Sequence, residues 1–170
     1  NIPIAKSRLE PLGIKVIPLQ NDSNLPLNTQ QFDLVINRHE SYDLSELKRI
    51  LKPNGVFITQ QVGENDQLEI NAALGAPANE EFGPWNLAFA RKQLKDQGFS
   101  IILQKEDVSM YRFLTIDILI RFLRAIPWQI PDFSVKKYYS QLVQLSNLIK
   151  TQGEFQSRSF RFLIIAKKSA

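Results

Sequence analysis

From Phe32 to Gly63 the chain reads FDLVINRHESYDLSELKRILKPNGVFITQQVG, and this stretch constrains the fold more than any other. Phe32 to Asn37 is a nearly continuous apolar run, the signature of a strand buried on both faces of a parallel sheet. Asp43 or Ser45 can cap a helix running through Leu51, and Pro53-Asn54-Gly55 ends it. Val56-Phe57-Ile58-Thr59 follows as a second strand. Strand, helix, strand at this spacing is a parallel crossover unit. In open α/β sheets, ligands bind outside the carboxyl ends of the strands. Asn37-Arg38-His39-Glu40 ends the first strand and Gln60-Gln61 ends the second, so two neighbouring strands deliver polar groups to one crevice.

Other elements can be read around this unit. Residues 3–11 read as a short helix closed by Gly13, and 14–18 as a brief strand. Residues 20–31 form a polar loop. Residues 64–83 have no clear period and read as a long connection. Pro84 and Gly98 bracket a helix, and 100–105 is a strand that 109–114 extends after a break. Residues 115–126 are apolar almost all round and read as a buried helix. Residues 134–150 carry an amphipathic face with Val135, Tyr138, Leu142, Leu145 and Ile149. Phe160–Ala166 closes the chain as a strand. The length of 170 residues points to one domain, with 115–150 as a helical insertion.

Phe32-Asp33-Leu34-Val35 and Leu47-Lys48-Arg49-Ile50-Leu51-Lys52-Pro53-Asn54-Gly55, with the strand after them, resemble the middle of class I S-adenosylmethionine-dependent methyltransferases. That family commonly carries FDLV in its fourth strand and LKPGG before its fifth; Asn54 stands at a usual glycine, and Asn tolerates positive φ. The resemblance implies a doubly wound, mostly parallel α/β sheet of Rossmann-like type, with an antiparallel edge hairpin and a two-helix insertion at 115–150. It implies S-adenosylmethionine as cofactor and methyl transfer to a small-molecule nucleophile. Asn21-Asp22-Ser23-Asn24-Leu25-Pro26 resembles the loop that binds the adenine amino group, and a side-chain oxygen of Asn21 or Asp22 would accept from it. Asn37, Arg38 and His39 fall where the family's fourth strand meets the cofactor.

The family's GxGxG-type loop is absent from the 170 residues, and no acidic residue stands for the one that holds the ribose. We therefore expect the chain to be part of a longer protein that carries the activity, and the chain alone to bind S-adenosylmethionine weakly.

Site residues carry competing readings. His39, the only histidine, reads as a general base, as a contact to the cofactor's methionine end, or as a solvated loop residue. Glu40 orients it, binds a substrate amine, or simply faces water. Gln60, Gln61 and Trp128 are candidate substrate contacts, although Trp85 and Trp128 also read as packing. Pro127 and Pro131 stiffen the loop that carries Trp128. Glu64-Asn65-Asp66 has no spacing that supports a metal site. Arg121, Arg124, Lys136 and Lys137 read as a solvated face. A net charge of +4 permits an RNA substrate without arguing for one. An RNA-modifying enzyme and a non-catalytic methyltransferase-like interaction domain are the rival readings. The chain has no cysteine, which is compatible with the cytoplasm, and its longest apolar run is too short to span a membrane.

Overall fold

The computed structural model describes residues 2–169. Four strands, β1 (Phe32–Arg38), β2 (Leu51–Val62), β3 (Phe99–Phe113) and β4 (Phe155–Lys168), form one sheet in the order β1-β2-β4-β3. β1 and β2 are parallel, and β4 runs antiparallel to both its neighbours, so three strands point one way and β4 the other. The helices are α1 (Ile2–Leu9), α2 (Leu44–Ile50), α3 (Leu68–Leu74), α4 (Leu87–Asp96), α5 (Ile116–Ala125) and α6 (Tyr139–Gln152).

Strand alternation sorts the core onto two faces. Phe57, Phe162, Ile164, Ala166 and Phe99 pack with Ala90 and Leu94 of α4 and Leu47 of α2 on one face. Phe113, Leu119, Leu123, Leu142, Leu145, Ile70 and Leu74 gather α3, α5 and α6 at the far end of the β3–β4 pair. There Ser157 and Ser159, of opposite parity to Phe162, are buried. Helices thus cover both sides of the sheet, each over one half of it. α5 and α6 lie between β3 and β4, so the insertion at 115–150 is present as two helices.

The crossover unit forms for local reasons. Asp43 caps α2 by accepting from the Glu46 backbone N–H at 2.9 Å. Glu46 in turn accepts from Arg49 Nε and from the Leu25 backbone N–H, while Arg49 donates to the carbonyls of Leu25 and Leu27. This clamp ties the polar loop to the helix. The hydrogen bonds from Arg49, then that from Leu25, hold the Glu46 carboxyl down to about 2. β2 begins at Leu51, immediately after α2. It makes an irregular excursion at 52–55 before pairing Val56 with Leu34, and Asn54 takes the expected positive φ of 65°. Gly55 is required here for space. A Cβ would lie 2.9 Å from the Lys52 carbonyl oxygen and 3.2 Å from that of Phe32, both backbone atoms. Gly55→Ala should cost about 1–3 kcal/mol by overpacking, read as a lower urea midpoint at unchanged m-value.

Several expectations need correction. Residues 14–18 form no strand, because among the described residues none pairs with them. β1 is not buried on both faces: it is the outer strand, and Leu34 and Ile36 are 47% and 67% exposed. Residues 64–83 are not one irregular connection; α3 sits inside, flanked by left-handed Gln67 and Gly75. The helix after Pro84 starts at Leu87, where the Asn86 side chain accepts from the Phe89 N–H at 2.9 Å, a better cap than the proline start. α5 buries Leu119 and Leu123 but exposes Ile118, so it is amphipathic rather than buried all round. α6 begins at Tyr139, leaving Val135 in the turn before it.

Candidate active site at the strand rim

The carboxyl ends of β1 and β2 meet as the sequence implied. In register, Asn37 faces Thr59 and Arg38 faces Gln60. Asn37, Thr59 and Gln61 share one face. The buried Gln61 carboxamide donates to Asn37 Oδ1 at 2.6 Å, to Thr59 Oγ1 at 2.8 Å and to the Glu40 carbonyl at 3.1 Å. Thr59 Oγ1 donates to Asn37 Oδ1, and Asn37 Nδ2 donates to the Ser41 carbonyl at 3.1 Å. With its two N–H groups so engaged, Gln61 braces the turn after β1. The Asp22 carboxylate accepts from Ser41 Oγ, so the polar loop reaches this turn as well. Asn21 accepts from Ser23 within its own loop.

Arg38 and Gln60 project from the other face, and Arg38 Nε donates to Gln60 Oε1 at 3.2 Å. His39 follows in the left-handed region at φ 60°, its N–H donating to the Gln60 carbonyl at 2.9 Å. Positive φ is uncommon for non-glycine residues, although histidine adopts it more readily than most. The turn puts the ring at the rim, exposed beside Arg38. Glu40 is also exposed. Burial, then the charges of Arg161 and Arg38, push the His39 imidazole below its ordinary 6.5, with Asp66 opposing them. His39 is therefore mostly neutral at pH 7, as a proton acceptor must be.

Arg161 is a rim residue that sequence reasoning passes over, and Asp66 enters it only as a metal ligand within Glu64-Asn65-Asp66. Arg161 lies on β4 opposite Val62, and its Nη1 donates to Asp66 Oδ1 and to the Phe160 carbonyl. Asp66 Oδ1 also accepts from the Phe160 N–H at 2.8 Å. A charge inside the run Phe160-Arg161-Phe162-Leu163-Ile164 was the available signal.

The insertion is stapled to the rim through the segment after β2. Gln129 Nε2 donates to the Asp66 carbonyl at 3.1 Å and to Asn71 Oδ1 at 2.6 Å. The Trp128 carbonyl accepts from Asn79 Nδ2 at 2.9 Å, and the Trp128 side chain is 51% exposed. Trp85 packs on Tyr42 and Phe162, so it belongs to the core. A shallow cavity of about 170 Å³ opens beside the rim, lined by Glu64, Asn86, Glu106 and Arg161. Among the described residues no acid–histidine group is arranged to hold a metal, and no helix is long and apolar enough to cross a membrane.

No protein-family model and no curated protein matches this sequence. Solved structures do match it. A protein of Bacillus halodurans proposed to be a methyltransferase is 13% identical and superposes with a TM-score of 0.66, over 99% of this chain and 79% of that one. A protein of Galdieria sulphuraria proposed to be a sarcosine dimethylglycine methyltransferase is 15% identical, with a TM-score of 0.52 over 99% and 68%. The [4+2]-cyclase SpnF is 13% identical, with a TM-score of 0.54 over 99% and 62%. One of these three proteins thus carries a different chemistry on the same scaffold, and folds do not dictate reactions. The shared architecture is the Rossmann-like fold of class I methyltransferases, and that is the fold of this chain.

Proposed function

We propose that the protein transfers a methyl group from S-adenosylmethionine to a small-molecule nucleophile, as part of a longer protein. One observation carries the reading. The polar groups at the carboxyl ends of β1 and β2 converge on the left-handed turn at His39, where an α/β sheet of this kind places its ligand. The donor set fits part of the cofactor. Asp22 keeps lone pairs for an adenine amino group beyond the one Ser41 uses. Backbone at Asn37 and Arg38 lies at the strand end for the methionine part. The 170 residues hold no GxGxG-type loop, so residues outside this chain would hold the ribose.

When bound, the cofactor supplies an electrophilic methyl group and its own leaving group. The protein's work is alignment and exclusion of water. Asn37 and Gln61 hold the turn rigid, so His39 keeps one position. A neutral imidazole there accepts a proton from the nucleophile, with Glu40 beside it. Gln60 is the better placed of the two glutamines for substrate, because the donors of Gln61 are consumed within the turn. Trp128 offers a planar apolar surface from a loop fixed by Asn79 and Gln129.

Calorimetric titration of S-adenosylmethionine tests the reading, using both the 170-residue chain and the protein made from its complete reading frame. Micromolar binding by the longer protein and at least tenfold weaker binding by the chain are expected. No binding by the longer protein would remove the methyl-transfer reading; equal binding by both would remove the need for an upstream glycine loop.

A further inference from the structure

We propose that Arg38 and Arg161 form a clamp for an anionic oxygen group, a carboxylate or a phosphate, carried by the ligand of this rim. The inference rests on the strand-rim site above and names the chemistry it takes. The register gives the geometry. Arg38 faces Gln60 on β1–β2, and Val62, two residues further along β2, faces Arg161 on β4. Side chains two apart on a strand share a face, so both guanidiniums rise from the same side of the sheet. Two strand spacings of about 4.8 Å each separate β1 from β4, and the two arginines are offset by two residues along the sheet. His39 follows Arg38 just past the end of β1, its N–H on the Gln60 carbonyl of β2, and feels both charges.

Arg38 is the unpaired base at this spot: among the described residues no carboxylate pairs with Arg38, whose only side-chain partner is the neutral Gln60 amide. Asp66 takes up Arg161, and that carboxylate is itself anchored to the Phe160 N–H. Arg158, the next basic group along β4, is paired with Glu69. Asp22 and Glu40 are the other acids at the turn, and Asp22 is engaged by Ser41 Oγ. Glu40 follows His39 in an exposed position, and its carbonyl rather than its carboxylate is tied into the turn. An exposed arginine with both terminal nitrogens free, next to a second arginine fixed by its own counter-ion, suits planar or tetrahedral oxyanions. The Gln60 amide adds a neutral donor at the same point.

His39 makes the test specific, because it is the only histidine and its ring resonances report this spot alone. An anion held between the arginines screens them from the imidazole and favours its charged form, so the His39 midpoint should rise. Sodium phosphate and sodium acetate are titrated against sodium chloride at matched ionic strength, with the ring followed by heteronuclear NMR. A saturable shift and a midpoint higher by about one unit are expected with phosphate or acetate, but not with chloride. Arg38→Gln should abolish most of the response and Arg38→Lys should retain part of it. A ring that ignores phosphate and acetate, or responds to chloride equally, would overturn the clamp. So would an unaltered response in Arg38→Gln.

Two further arms, in the longer protein, assign the source of the anion. If the cofactor's carboxylate occupies the clamp, saturating S-adenosylmethionine erases the phosphate response and methylthioadenosine, which lacks that carboxylate, leaves it. If the acceptor brings the anion, the phosphate response persists with S-adenosylmethionine bound. The phosphate arm needs no cofactor, so it succeeds or fails independently of methyl transfer.

Discussion

Phe57→Ala is expected to destabilise the protein by about 3–5 kcal/mol, the usual cost of truncating a fully buried phenylalanine. Phe57 is 0% exposed in the middle of β2. It stands between Val35 of β1 and Ala166 of β4 in register, and the Tyr42 ring meets it edge-on at 5.0 Å. The two strands that flank it cannot collapse into the space without breaking their ladders, so the cavity stays largely open. Against a total stability of about 5–15 kcal/mol, the melting temperature should fall by roughly 6–20 °C. Ile36→Ala is the control. Ile36 is on the neighbouring strand and just as apolar, yet 67% exposed, so its loss should stay within about 0.5 kcal/mol. Equal effects at the two positions in thermal melts would mean that the uncovered face of β1 is covered in solution.

That contrast marks what was legible in the sequence. The order of strands and helices around Phe32–Gly63 is a local property. It follows from apolar runs, from the Asp43 cap on α2 and from a turn whose Asn54 accepts positive φ. The burial of β1 is not local, since Leu34 and Ile36 read the same whether or not a layer lies over them. α3 escaped notice because it is only seven residues long and its stop signal, Gly75, also reads as loop punctuation. Yet Ile70 and Leu74, four apart and both buried, were its helical signal. At the site, Asn37, Arg38, His39 and Gln60 could be placed from one crossover unit. The role of Gln61 could not, because its three acceptors include the carbonyl of Glu40 on the far side of the turn. Arg161 could not be placed either. It enters the rim only because β4 inserts beside β2, a pairing across some hundred residues that no local pattern encodes.

On the proposed reaction, His39→Asn should lower the rate of methyl transfer by about 10²–10⁴-fold, the range for loss of a positioned general base. Asparagine is the substitution of choice because position 39 is left-handed, at φ 60°, a conformation that Asn adopts readily. The N–H to the Gln60 carbonyl and the path of the turn should survive, which a melting curve can verify. The pH profile separates a base from a mere contact. Burial, Arg161 and Arg38 together hold the His39 imidazole below 6.5, with Asp66 only partly offsetting them. The wild-type rate should therefore be flat through pH 7 and fall only on the acid side of 6.5, as the ring takes up a proton. His39→Asn should remove that acid limb as well as the rate. Protonation also bears on folding: a histidine with a depressed folded value binds fewer protons in the native state. Stability from this group is then constant above 6.5 and declines as the pH falls below it. Activity and stability would both weaken in acid, but only the activity limb is tied to turnover. A variant that keeps its rate and its acid limb while binding S-adenosylmethionine more weakly would make His39 a cofactor contact. The proton would then leave the nucleophile by another route, with Glu40 the nearest carboxylate in sequence to replace it.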